Sequence, residues 1–251
     1  MIYQNFICVI VLLGLFSFGE FRKLPSFITP CRQNDPALND CIVQQFEKIR
    51  PQLKKGIPEF DLPSMDPLNL PTVTMNHGNG AAVSFKADFT NLIVTGASDV
   101  IVKKVDLDLN KLKLKVHVYF PKLRIESDYK ISGKILVLPI NGDGHSDGNF
   151  TNIETKMVVS GDYEMRDGKR YIVINDKKVS LVIGDSKLYF ANLFNGNKEL
   201  SESTNQLINE NSKDIVQEIT PLVEETIGEL VHKIVNQVFN IFPVDELLLP
   251  N

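Results

Sequence analysis

Four histidines (His77, His117, His145 and His232) and a scatter of hydroxyl and acidic side chains are the groups with which this chain could do chemistry. Nucleophilic catalysis needs a nucleophile, a base and an orienting acid within hydrogen-bond reach. The histidines lie far apart in sequence, no G-x-S-x-G occurs, and Gly184-Asp185-Ser186-Lys187 only resembles a hydrolase block. A hydrolase of lipophilic esters would need Ser186 or another serine beside a histidine, and the spacing offers no support for that. Asp143-x-His145-x-Asp147-Gly148, followed by Glu154, imitates a calcium loop with histidine at its third position. Its flanks read as strands and not helices, so a polar hairpin turn is expected there. The chain is read as a non-enzyme with no catalytic residue, no metal and no cofactor.

What remains chemically distinctive points to compartment. Residues 6–18 are nearly all apolar, too short to span a bilayer but suited to the core of a signal peptide. Ser17 and Gly19 supply the small residues of a cut after Gly19, so residues 1–19 are expected to be a signal peptide and 20–251 a single domain. Cys8 leaves with that segment; Cys31 and Cys41 stay and are expected to bridge in a secreted, extracellular protein. Asn149-Phe150-Thr151 is a sequon, so Asn149 is a candidate glycan site on an exposed loop. With 27 basic and 31 acidic side chains the net charge is −4, which argues against a nucleic-acid partner. No later stretch is apolar enough to cross a membrane. The lysines at 111, 113 and 115 read as a solvated face or as protection of a sheet edge.

The elements that would position any site follow from two periods. Asp35-Pro36 reads as a helix start, with Leu38, Ile42, Phe46, Ile49 and Leu53 at helical spacing and Pro51 and Lys55-Gly56 as its stop. Four prolines then make 57–71 an extended, turning segment. From residue 72 apolar residues alternate, which predicts strands buried on one face and an antiparallel sheet. A strand over 123–138 would be roughly 50 Å long at ~3.3 Å per residue. Asn141-Gly142-Asp143-Gly144 and Asp147-Gly148 predict a turn, and Asp167-Gly168 a hairpin. From 201 the period becomes helical. Ser203 and Gln206 suggest a capping box, and one helix is expected over 202–242, bent at Pro221. Its apolar stripe needs a partner as long as itself, and only the long strands qualify. The fold class is therefore α+β, a long C-terminal helix wrapped by a strongly curved antiparallel sheet.

An ordered set of short segments resembles the takeout / juvenile-hormone-binding-protein family of secreted insect proteins. It runs from Pro30-Cys31 and Cys41, through Gly56-Ile57-Pro58 and Asp66-Pro67-Leu68, to Asn192-Leu193-Phe194-Asn195-Gly196-Asn197-Lys198. Leu207-Ile208-Asn209-Glu210-Asn211 and Phe242-Pro243-Val244-Asp245-Glu246-Leu247 close it. The resemblance implies a long helix within a curved sheet, enclosing an elongated hydrophobic tunnel for a lipophilic small molecule. Ser201, Thr204 and Ser212 depart from the family pattern, and a single possible disulfide resembles the takeout branch.

The inward apolar positions are the candidate wall of that tunnel. From the strands these are Phe85, Phe89, Leu107, Leu114, Val116, Val118, Phe120, Ile125, Tyr129, Ile131, Ile135, Val137, Met157, Val159 and Phe190. From the helix they are Ile219, Val223, Ile227, Leu230 and Ile234. The expected function is a secreted carrier that binds and transports a hydrophobic small molecule, isoprenoid, hormone or lipid-like. Release is expected near 141–150 or 57–71. The alternative is a protein- or membrane-surface module with a filled core and transient receptor or membrane contact.

Overall fold

The computed structural model describes residues 23–70, 72–78, 83–135 and 138–250. The expected signal peptide lies outside the described residues. A short strand β1 (Cys31–Arg32) leads into helix α1 (Leu38–Leu53). The Asp35 carboxylate accepts a hydrogen bond from the Ala37 amide at 2.8 Å, so the helix begins two residues later than the Asp-Pro signal suggested. Pro51 lies inside the last turn, and the chain leaves at Gly56 with a φ of +81°. The bridge Cys31–Cys41 is formed and ties β1 to α1.

The sheet has seven strands: β2 (Leu68–Leu70), β3 (Val73–His77), β4 (Val83–Thr95), β5 (Ile101–Asp108), β6 (Lys113–Ile135), β7 (Leu138–Arg166) and β8 (Lys169–Phe190). All its pairings are antiparallel, and the curved sheet does not close. β4 flanks one half of β6 and β5 the other, while β7 and β8 run beyond. Two expectations are corrected here. Asn141 to Gly148 is not a turn: it lies within β7, paired along its length with β6. The strand expected over 123–138 is part of a longer one, β6, which begins at Lys113 and ends at Ile135, with Leu138 already in β7.

The reason is a single irregular row. The inward residues of β6 are Ile131, Tyr129, Ser127 and Ile125 on one side of Pro121, and Phe120, Val118, Val116 and Leu114 on the other. The parity reverses in the same row in β7, at Asn152 (φ +54°), and in β8, at Gly184. Pro121 has no amide proton for the ladder and is tolerated where the ladder is broken. A Cβ on Gly184 would lie 2.7 Å from that of Asn152. A sequence reading sees alternation fail and ends a strand; the backbone turns and carries on. At the far tip, Asp167 and Gly168 both have positive φ, the two-residue hairpin their pairing predicts.

The expected single C-terminal helix is two: α2 (Lys198–Glu210) and α3 (Ser212–Ile241), separated at Asn211. Asn197, and not Ser203, caps α2, accepting from the Leu200 amide at 3.1 Å. Pro221 sits inside α3. A short helix α4 (Val244–Leu247) and strand β9 (Leu248–Leu249) follow, and β9 pairs in parallel with β1, so the two chain ends meet.

Three packed clusters anchor this frame. The first joins Phe85, Ala87, Tyr129, Ile131 and Ile140 of the sheet to Leu193, Ile208 and Ile215, with Ile219 and Leu222 of α3 against it. The second joins Leu53, Ile57 and Phe60 to Phe242, with Val238 and Ile241 at the other end of α3. The third packs Leu68, Val94 and Ala97 with Leu123 and Ile125.

Candidate functional site

α2 and α3 lie along β8, the last strand of the sheet, and complete its open ladder with side chains. Asn205 accepts from the Phe190 amide at 2.8 Å and donates to its carbonyl at 2.9 Å. Asn209, one turn on, does the same with Leu188, at 2.9 and 2.7 Å. On α3, Glu224 accepts from the Leu181 amide at 2.7 Å and Asn236 from the Ile174 amide at 2.8 Å. The His232 imidazole meets the Ile174 carbonyl at 2.8 Å. An exposed strand edge would otherwise template pairing with another chain. The sequence pointed to none of them as part of such a seam: His232 stood out only as one of four scattered histidines and Asn209 only within a family segment, and the one signal available was the amide pair at i, i+4.

Beside this seam lies a groove of about 370 Å³ lined by Lys177, Val179, Pro221, Glu224, Gly228 and Glu229. A 2.7 Å ion pair, Lys177–Glu229, lies in it. It is polar and open to solvent, unlike the apolar tunnel the sequence predicts. Lys177 also holds the Glu229 carboxyl below its usual range through their hydrogen bond.

The expected wall residues fall into two groups. Phe85, Tyr129 and Ile131 are buried members of the first cluster, and Phe89, Phe190 and Ile219 pack against it. Ile125 packs in the third. Val118 and Val159 are buried on the inward face elsewhere. Leu107, Leu114, Val116, Phe120 and Met157 of the sheet, and Val223, Ile227, Leu230 and Ile234 of α3, are half-buried and belong to none of the three clusters. Val137, and the side chain of Ile135, lie outside the described residues.

Polar groups lie on the inward face as well. Near the first cluster, the Ser127 and Ser146 hydroxyls bond each other at 2.7 Å, and the Tyr129 hydroxyl donates to the Ala191 carbonyl at 2.7 Å. Burial raises the Tyr129 hydroxyl to about 12. Thr155, further along the same face, is 4% exposed, a threonine at an apolar position of the alternation.

The other candidates lie on the outer face. Asn149 is half-buried in the middle of β7, donating to Asp147 at 2.8 Å, so the sequon is not on a loop. Asp147 is also paired with Arg124, which holds its carboxyl below the usual range. His117 contacts Glu154 across strands. Lys115 pairs with Asp106 at 3.0 Å and Lys111 with Asp108 at 3.7 Å. β6 has neighbours on both sides, so these lysines do not guard an edge. Ser186 is the exception: it sits on β8 opposite Phe150, in step with the inward Leu188 and Phe190. Among the described residues no group of three or more His, Cys, Asp or Glu is placed to hold a metal ion, and no helix is long and apolar enough to cross a membrane.

A long helix seated on an unclosed, curved antiparallel sheet, with an apolar interior between packed ends, defines a class. The family model described as haemolymph juvenile hormone binding protein matches residues 6–249, and the chain belongs to that family, whose members bind hydrophobic ligands. It is 28% identical over 246 residues to circadian clock-controlled protein daywake of Drosophila yakuba, covering 93% of this chain and 94% of that one. The Drosophila melanogaster daywake is 27% identical over 249 residues, covering 94% and 95%. The crystal structure of Epiphyas postvittana Takeout 1 superposes with a TM-score of 0.76 at 24% identity, over 88% of this chain and 100% of that one, and shows the fold.

Proposed function

We propose that this protein is a secreted carrier that holds a hydrophobic small molecule between α3 and the inward face of the sheet and does no chemistry on it. The observation that carries this reading is α3 itself. It has thirty residues, thirteen of them hydrophobic, and lies against the sheet, yet only Ile215, Val216 and Gly228 are buried. Protein interiors are normally filled to crystal-like density. Between Leu222, packed on the first cluster, and Val238, packed on the second, the helix carries half-buried apolar side chains that belong to neither cluster, which supports a ligand space there. The rise from Leu222 to Val238 is roughly 24 Å at ~1.5 Å per residue. The wall would be Leu114, Val116, Phe120 and Met157 opposite Val223, Ile227, Leu230 and Ile234, an apolar lining suited to a lipophile. Affinity would come from removing ligand surface from water, at about 25 cal/mol per Å² before ordering costs. Release by loosening at 141–150 is not part of this reading, since that segment is central strand. The 57–71 segment remains a candidate. Residues 1–19 would be removed on secretion, and Asn149, on the outer face, would be free to carry a glycan.

The test is organic extraction of the purified mature protein for mass spectrometry, with binding of the fluorescent probe N-phenyl-1-naphthylamine. A co-purified lipophile and probe binding at micromolar concentrations are expected. Leu230→Trp should fill the space and abolish probe binding while the protein stays folded. Neither a lipophile nor probe binding in the parent protein would overturn the reading.

A further inference from the structure

Helix α3 is fixed to β8 by hydrogen bonds at two places. Glu224 holds the Leu181 amide at 2.7 Å. About two turns on, His232 meets the Ile174 carbonyl and Asn236 holds the Ile174 amide, each at 2.8 Å. Between these points, beside Lys177 to Val179, lies the groove of about 370 Å³. Two of the residues that line it are buried, Val179 of the strand and Gly228 of the helix. Val179 is paired with Met157 of β7, a residue of the proposed wall. The groove therefore stands one strand away from the space assigned to the ligand.

One side chain straps this groove. Gly228 has no side chain of its own, and a Cβ there would stand 3.6 and 3.7 Å from Cε and Cγ of Lys177 and 3.8 Å from Cγ2 of Val179. The Lys177 stem thus lies against the bare helix backbone, and its ammonium reaches Glu229 at 2.7 Å. The Glu229 side chain is 65% exposed. An ion pair with an exposed partner is weak and screened by salt, whereas the part-buried hydrogen bonds on either side cost more to break. The seam is easiest to open where Lys177 crosses it.

We propose that this groove is the ligand's route in and out: Lys177 swings off Gly228, and the apolar molecule passes between α3 and β8 where the helix presents no side chain. This rests on the carrier reading and deepens it. Lys177 lies on the path and not in the proposed wall, so it sets the rate of exchange and not the affinity.

The experiment uses the mature protein and N-phenyl-1-naphthylamine, with association followed by stopped-flow mixing and dissociation by dilution. Lys177→Ala should raise both rate constants roughly two- to fivefold, the range for one exposed ion pair, and leave their ratio, the Kd, unchanged. Glu229→Gln should do the same. Added salt should speed exchange in the parent and not in either variant. Gly228→Leu, which fills the groove, should slow both steps. Gln237→Ala removes the 2.8 Å bond to the Asp61 carbonyl that ties α3 to the 57–71 segment, and should leave the rates as they are. If the probe binds and both Lys177→Ala and Glu229→Gln exchange it at the parent rates, the route is overturned and the carrier reading stands. Faster exchange in Gln237→Ala alone would overturn it too, by moving the route to the 57–71 segment. So would a loss of affinity in both ion-pair variants, which would place Lys177 in the ligand's seat. If the parent binds no probe, route and carrier reading are both overturned. An unchanged Kd shows that a variant is folded.

Discussion

The two stretches of interior along α3 are built from the same residue types and behave differently. At its N-terminal end Ile208 and Leu193 are wholly buried and Tyr129 is 3% exposed, with every inward hydroxyl of the neighbouring strands satisfied by the protein. In its middle Val223, Ile227, Leu230 and Ile234 are no more than half-buried. The packed end has something the middle lacks. The chain leaving β8 crosses the inward face of β7 there, with the Ala191 amide bonded to the His145 carbonyl at 2.9 Å and Leu193 bridged to Gly142. A backbone laid across the sheet, and not bulkier side chains, is what fills that end. The proposed carrier reading puts the ligand in the middle, where no such crossing lies.

Truncation separates the two regions most strongly. Ile208→Ala should cost about 2–5 kcal/mol, the range for opening a cavity in a filled core. Leu230→Ala should cost under about 1.5 kcal/mol, because much of its surface already lacks a protein neighbour. Urea unfolding of the two variants measures both. Equal losses would mean that the middle is packed as tightly as the end.

The seam that holds α2 to β8 comes next. Asn209→Leu removes both partners of the Leu188 amide and carbonyl and leaves a buried strand edge unpaired, at a cost of about 1–3 kcal/mol. The loss should appear in urea unfolding and as faster exchange of the Leu188 amide proton. Leu188 and the helix that carries Asn209 both belong to the packed end. Probe binding in the middle should therefore survive. Loss of binding at unchanged stability would show that the two regions are not separable.

Much of this frame was legible in the residues. Alternation gave the inward and outward faces of β6, the Asp167-Gly168 hairpin was written in its two residues, and the two cysteines bridge as their spacing suggested. What was illegible has physical causes. Gly142, Gly144 and Gly148 look like turn residues, yet the first two lie in a strand because another backbone passes over them. A Cβ at Gly144 would stand 2.5 Å from the Ala191 carbonyl. The helix break at Asn211 hides because the apolar spacing continues across it, while Asn211 itself bonds back to the Leu207 carbonyl at 2.9 Å. Fully buried and half-buried positions cannot be distinguished from side-chain type, since Ile131 and Ile227 are the same residue in the two environments.

The smallest expected effect is on pH dependence, and it belongs to the packed end alone. The Tyr129 hydroxyl is held by burial at about 12, against an ordinary value near 10, and donates its proton to the Ala191 carbonyl on the crossing chain. The folded state therefore binds this proton more tightly than the unfolded state does. Its contribution is complete below pH ~10 and is lost as pH rises from there through about 12. Tyr129→Phe should remove that alkaline loss while lowering stability modestly at pH 8, since one hydrogen bond to the crossing chain goes with the hydroxyl. Absorbance at 295 nm should show one tyrosine ionising late in the parent and missing from the variant. If Tyr129 ionised near its ordinary value, water would be reaching the packed end, and the contrast between the two stretches of interior would fail at the residue that defines it best.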